Sequence, residues 1–139
     1  MNTTTTAAET PATTMLAIAA ASTELAAGEI YAGLVLDQSG LPSHHLVLLP
    51  DAPATRVTWQ QAIDWARDAG SSLPTRQELA LLYANCKQHF DFDLYWSSEA
   101  HKANASYAWT QYFSLGYQDG SHKSSAERAR AVRRIHLVD

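Results

Sequence analysis

Apolar positions first alternate along this chain, then recur at helical spacing, then alternate again. From Glu29 onward, Ile30-Tyr31-Ala32-Gly33-Leu34-Val35-Leu36 is a β-rich run closed by the turn cluster Asp37-Gln38-Ser39-Gly40. His45-Leu46-Val47-Leu48-Leu49 follows and stops at Pro50-Asp51. Two short runs joined by a polar turn predict a β-hairpin. Thr58 then opens a helix. Gln61 completes a capping box, Trp59, Ala62, Ile63 and Ala66 fall on one face, and Gly70 supplies the stop. A second helix opens at Thr75 with Glu78 in the box position. Leu79, Leu82, Tyr83 and Cys86 form its stripe, Phe90 extends it, and Pro74 precedes the cap, where it costs no helical hydrogen bond.

The last third returns to strand-like patterning. Tyr95-Trp96-Ser97-Ser98 predicts a short strand that enters a polar loop from Glu99 to Ser106. Between Tyr107 and Phe113 the pattern alternates, with Tyr107, Trp109, Gln111 and Phe113 on one face and Ala108, Thr110 and Tyr112 on the other. Gly116 and Asp119-Gly120 read as turns, the latter a hairpin dipeptide, and Arg128 to Leu137 as a final strand. Trp96, Trp109 and Phe113 are expected in the core, and Phe92 is expected to turn inward between Asp91 and Asp93. Two strands, two helices and several more strands, with no βαβ repetition, predict an α+β domain.

The chain is 139 residues long, which fits one domain. Residues 29–139 carry the patterned part, whereas 1–28 read as a flexible or arm-like segment. Its first residues are Thr- and Ala-rich and of low complexity. Residues 14–27 suit either an Ala-rich helix or an extended arm, and an apolar arm is a candidate contact for a homo-oligomer. Met15 to Ala21 lacks the basic flank of a secretory signal and is too short to span a bilayer, so no membrane is expected. Four Trp, six Tyr and three Phe suffice for a core without metals or disulfides, and Cys86, the single cysteine, leaves no intrachain disulfide. A reducing setting follows: the cytoplasm of a bacterial host, or a virion assembled there.

A formal charge of -4 argues against a dedicated nucleic-acid binder. The charge is unevenly spread, however: no Lys or Arg precedes Arg56, while Arg128, Arg130, Arg133 and Arg134 crowd together. Such a strip reads first as edge-strand positions or internal ion-pair partners. The alternative is phosphate binding by Arg128, Arg130 and Arg134 in a nucleic-acid-associated accessory protein.

One set of segments resembles a known family. These are Leu73-Pro74-Thr75-Arg76-Gln77-Glu78-Leu79, Tyr95-Trp96-Ser97-Ser98-Glu99, Tyr107-Ala108-Trp109 with Phe113 and Gly116, and Arg130-Ala131-Val132-Arg133. Together they resemble a bacterial and phage domain family of unknown function that includes the C-terminal domain of a collagen-like adhesin. The phage and prophage branch is most similar, because it shares the E-I-Y-A-G-L-V-L opening and the H-L-V-L-L-P strand. The resemblance covers roughly residues 29–136. It implies a C-type lectin-like fold, with two helices beside a small twisted antiparallel sheet and a ligand site in a long irregular region. Related scaffolds include formylglycine-generating enzymes and the variable proteins of diversity-generating retroelements, so the fold alone assigns no function. Most motif residues read as structural. Thr75 and Glu78 cap a helix, Ser97 and Ser98 satisfy backbone groups, and Arg76 and Arg133 are expected to pair with Glu78, Glu99 or Asp93.

Catalytic chemistry finds no foothold in the sequence. Formylglycine-generating enzymes need a reactive cysteine pair, and Cys86 stands alone in a helical stripe. The E-P-N, Q-P-D and W-N-D signatures of calcium lectins are absent, and Glu99, Asn104 and Asp119 are scattered. His44 and His45 point to opposite faces of a strand, and His89, His101, His122 and His136 show no metal-ligand spacing. Neither a phosphate-cradling glycine loop nor a G-x-S-x-G elbow occurs. No cofactor, metal or catalytic residue is therefore expected. The expected function is a non-catalytic binding module of phage or prophage origin. Its candidate binding residues are His101, Lys102, Asn104, Tyr117, Gln118, Asp119, His122 and Lys123, which place polar and aromatic groups on loops. A protein partner, of host or phage, comes first, a surface glycan second and nucleic acid third.

Overall fold

The computed structural model describes residues 23–137. Of the flexible or arm-like segment expected over 1–28, residues 1–22 lie outside the described residues, and 23–28 form neither helix nor strand. Strands β1 (Ile30–Leu36) and β2 (Pro42–Leu48) form the anticipated hairpin; helices α1 (Trp59–Asp68) and α2 (Arg76–Cys86) follow, then a 3-10 turn (Lys87–His89). Strands β3 (Leu94–Ala100), β4 (Tyr107–Tyr112), β5 (Gln118–His122) and β6 (Val132–His136) complete the order. The domain is α+β, with two antiparallel three-stranded sheets where one was expected: β1-β2-β6 and β3-β4-β5.

Both helices start where local chemistry dictates. Thr58 Oγ1 accepts from Gln61 N at 3.3 Å while Gln61 Oε1 accepts from Thr58 N at 2.9 Å. Thr75 and Glu78 repeat the arrangement at 3.1 and 2.9 Å. Each box satisfies two of the backbone donors that a helix start leaves open.

Two apolar clusters hold the layers together. In the first, Leu79, Leu82 and Cys86 of α2 meet Ala32, Val35, Leu46 and Leu48 of the first sheet, with Phe90, Tyr95 and Phe113 closing one end. In the second, Ala62 and Ala66 of α1 meet Trp96 and Ala108 of the second sheet, beside Ala129 and Ala131. At Gly33, φ is +130° and an added Cβ would lie 3.1 Å from Asn85 Nδ2. The bulge there admits α2, and Asn85 Nδ2 donates to Ala32 O at 2.6 Å.

The expected strand from Arg128 to Leu137 is divided. Arg128 bridges Tyr95 in parallel, and only Val132–His136 pairs with β2. The chain thereby switches from one sheet to the other, and small buried Ala129 and Ala131 let it cross at close quarters. Asp119-Gly120 is not a turn. It lies inside β5, opposite Thr110 and Trp109, because the hairpin closes earlier at Gly116 (φ +86°), whose N donates to Tyr112 O at 2.7 Å. Phe92 is 78% exposed instead of inward; Phe90 takes the core, its ring 3.9 Å from that of Phe113 and nearly parallel.

Arginine partners also differ from those expected. Arg133 pairs with Glu29, 2.9 Å away, and Arg128 Nε donates to Asp93 at 2.9 Å. Glu78, 1% exposed, receives both Nε and Nη2 of Arg134 at 2.7 Å, with His44 Nε2 also at 2.7 Å. Burial pushes the Glu78 carboxyl up, but Arg134, the Thr75 N–H and His44 outweigh it and hold the pKa below the usual value. Asp93 is lowered in the same way: its burial is overridden by Leu94 N–H, Arg128 and Arg56. Glu127 goes the other way, raised by burial and by the charge of Asp93.

Depressed carboxylates stabilise the fold above their unfolded pKa of about 4 and lose that contribution as pH falls through the lower folded values. Glu127, whose pKa is raised, acts in the opposite sense. The urea midpoint should therefore hold near neutrality and fall steeply below about pH 4. A midpoint unchanged down to about pH 3 would contradict the paired-carboxylate account.

Candidate functional site

The second sheet packs one face against α1; α2 covers part of the other, where Tyr95 and Gln111 are buried beside Phe113, and only the Tyr107 and Trp109 end reaches solvent. Ala108, Thr110 and Ser121 are buried on the inner side. Register then fixes the second face, where Tyr107 pairs with His122, Trp109 with Gly120 and the buried Gln111 with Gln118. Period-two alternation places these side chains in one row.

Trp109 is the centre of that row, and it is half-buried instead of belonging to the core as expected. The His101 ring stacks on it with centroids 4.6 Å apart and planes 21° apart. The Arg76 guanidinium carbon lies 3.7 Å from the indole centroid. Delocalised cations over an indole are attracted by its quadrupole.

Amide groups lock this arginine in place. Arg76 Nε donates to Gln118 Oε1 at 2.8 Å, while Gln118 Nε2 donates to Arg76 O at 2.7 Å and Gln111 Oε1 at 3.1 Å. Glu99 does not pair with the guanidinium; its carboxylate accepts the Arg76 backbone N–H at 2.7 Å, at the start of α2. A carboxylate there complements the helix dipole. Among the described residues, no carboxylate oxygen lies within 4.0 Å of the Arg76 guanidinium.

Two shallow grooves adjoin the stack. His101, Asn104, Asp119, Tyr107 and Trp109 line one, and Arg76, Glu99, Gln111 and Gln118 line the other. Four of the eight candidate residues, His101, Asn104, Gln118 and Asp119, thus converge on one surface. His122 flanks it, its ring 5.4 Å from that of Tyr107 and its Nδ1 2.6 Å from Ser124 Oγ. Lys102 is exposed in the adjoining turn. Tyr117 stands on the β4–β5 turn, 49% exposed, its ring 5.3 Å from Tyr112. Lys123 departs from the group, with Nζ 4.6 Å from the Trp59 ring.

Sequence reasoning missed Arg76, Tyr107 and Trp109 as surface groups. Small Ala108 and Thr110 on the opposite face of β4 were the available signal, since they suit the side packed closely under α1. Of the alternative phosphate-binding residues, Arg128 and Arg130 line one recess and Arg134 stands apart from it. Arg134 is bound to Glu78, Arg128 to Asp91 and Asp93, and Arg130 to the carbonyls of His89 and Leu49.

Among the described residues, no group of three or more His, Cys, Asp or Glu could hold a metal ion, and no helix is long and apolar enough to cross a membrane. Cys86 is buried, and burial pushes its thiol up despite the nearby Arg130 charge. No protein-family model matches the chain, nor does any curated protein.

Proposed function

We propose that this chain is a non-catalytic binding module that recognises a protein partner through the exposed end of its second sheet. The observation that carries the reading is the Arg76–Trp109–His101 stack, held rigid by Gln118 and Gln111 at the solvent-facing end of the second sheet. Trp, Tyr and Arg dominate protein-binding hot spots because they offer large contact area with few rotors. Here their conformations are already fixed, which lowers the entropy lost on association. Exposed Tyr117 and Leu115 extend the surface beyond the β4–β5 turn.

A C-type lectin-like scaffold of phage or prophage origin is the lineage proposed for it. Two helices, small antiparallel sheets and the motif segments quoted above support that proposal. Placement in a bacterial cytoplasm or virion, with a host or phage protein as target, belongs to the same reading. A surface glycan is the other target that such a polar, aromatic face suits.

The decisive variant combines His101→Ala, Lys102→Glu and Tyr117→Ala, three groups outside the helix-capping and core networks. With the wild-type chain as bait against bacterial proteins and an immobilised glycan panel, the captured partner should be lost by at least about tenfold in the variant. Its melting curve should stay unchanged. Equal capture by both proteins would remove this face as the site, and capture of glycan without protein would replace the partner class.

A further inference from the structure

Helix α2 covers one face of the first sheet, where Leu46 and Leu48 point. Alternation turns His45 and Val47 of β2 to the opposite face. Register sets Leu34 and Ile135 beside His45, and Tyr31 and Arg133 beside Val47. The chain before β1 crosses that face as a strap. Arg133 Nη2 donates to Glu24 O at 3.4 Å and pairs with Glu29 at 2.9 Å. Val47 is fully buried yet belongs to neither apolar cluster, so its cover comes from the strap side.

We infer that this face is the seat of the chain's own apolar run, Met15–Ala21, which continues the strap across the sheet from Thr23. A recess of about 280 Å³ opens there, lined by Thr23, Leu25, Tyr31, His45 and Ile135. Tyr31 is 49% and Leu25 42% exposed at its rim. The Tyr31 hydroxyl and His45 Nδ1 lie 2.7 Å apart and satisfy one another. What remains to line the recess is mainly ring and aliphatic carbon, which calls for an apolar occupant.

The position of the run selects it over other occupants. Thr23 stands in the wall of the recess, and Ser22 alone separates it from Ala21. A tether that short holds the run at an effective concentration of about millimolar or above, without the entropy loss of recruiting a second molecule. Its composition also fits. Met15-Leu16-Ala17-Ile18-Ala19-Ala20-Ala21 contains no charged side chain, and Met15, Leu16 and Ile18 are large and apolar. Its length is sufficient in any conformation: seven residues reach about 10 Å as a helix and further when extended. Three strands spaced about 4.8 Å apart span roughly the same distance.

The test uses the full chain. Nuclear Overhauser spectra should show contacts from the Leu16 or Ile18 methyl groups to the Tyr31 ring or to Ile135. Leu16→Asp combined with Ile18→Asp should erase those contacts and lower Tm by roughly 5–10 °C. Tyr31→Lys, at the exposed rim, should lower Tm in the wild-type background and by less in the double-variant background, because the two sites share one contact. Absent contacts with a Tm unmoved by the double variant overturn the proposal. Equal losses from Tyr31→Lys in both backgrounds place the run elsewhere and overturn it too. Contacts seen only between differently labelled chains of a mixed sample, with a dimer mass by light scattering, would make a second copy the occupant and overturn the same-chain assignment.

Discussion

Glu78→Ala should lower the unfolding free energy by about 3–5 kcal/mol, because it leaves the partly buried Arg134 guanidinium without its counter-charge and removes a helix cap and the acceptor for His44. The carboxylate serves four donors at once: Nε and Nη2 of Arg134, Nε2 of His44 and the backbone N of Thr75. Alanine removes the capping partner, the counter-charge and the acceptor for His44 together. Since a domain of this kind is stable by only about 5–15 kcal/mol, the loss is a large fraction of the whole. Urea denaturation followed by circular dichroism measures it, and a loss under about 1 kcal/mol would refute the network's role.

Two companion variants separate the contributions. Glu78→Gln retains an acceptor for Thr75 and should be milder than alanine. Arg134→Met combined with Glu78→Gln removes the charges as a pair, so the double variant should lose less than the sum of the two single losses. Additive losses would mean that the groups act independently despite their 2.7 Å contacts.

Trp96→Ala is the second large effect, again about 3–5 kcal/mol. The indole is fully buried between α1 and the second sheet, in the cluster with Ala62, Ala66 and Ala108. Those neighbours are small and sit on rigid elements, so they cannot close the cavity left behind. In addition, Trp96 Nε1 donates to Val57 O at 2.8 Å, tying the segment before α1 to β3. Trp96→Phe restores most of the volume but not the donor, and should cost about 1–3 kcal/mol. Equilibrium unfolding of both variants tests the ordering; a phenylalanine variant as unstable as the alanine one would assign the effect to the hydrogen bond, not the volume.

Both large effects fall on residues whose local roles were legible and whose tertiary roles were not. Glu78 reads as a capping residue three positions after Thr75, and so it is. Nothing near it in sequence indicates that Arg134 and His44 also converge there. Arg76 was expected to find a carboxylate and finds Gln118, because register brings β5 beneath the helix start. Asp119-Gly120 has turn chemistry, yet Gly116 closes the hairpin first, so the dipeptide continues as strand. The candidate surface was half visible. The polar residues His101, Asn104, Gln118 and Asp119 were identified from composition, whereas Trp109, the group they surround, was assigned to the core.

By itself the sequence determined the two capped helices, the first hairpin, the alternation of β4 and the α+β class. Each of these depends on interactions among residues a few positions apart, or on one apolar period, so each is written locally. Tertiary structure alone decided the split into two sheets, the exposed end of β4 and the partners of Arg76, Arg128, Arg130, Arg133 and Arg134. Those outcomes depend on which distant segments meet, and a side chain's exposure or counter-charge exists only once they have.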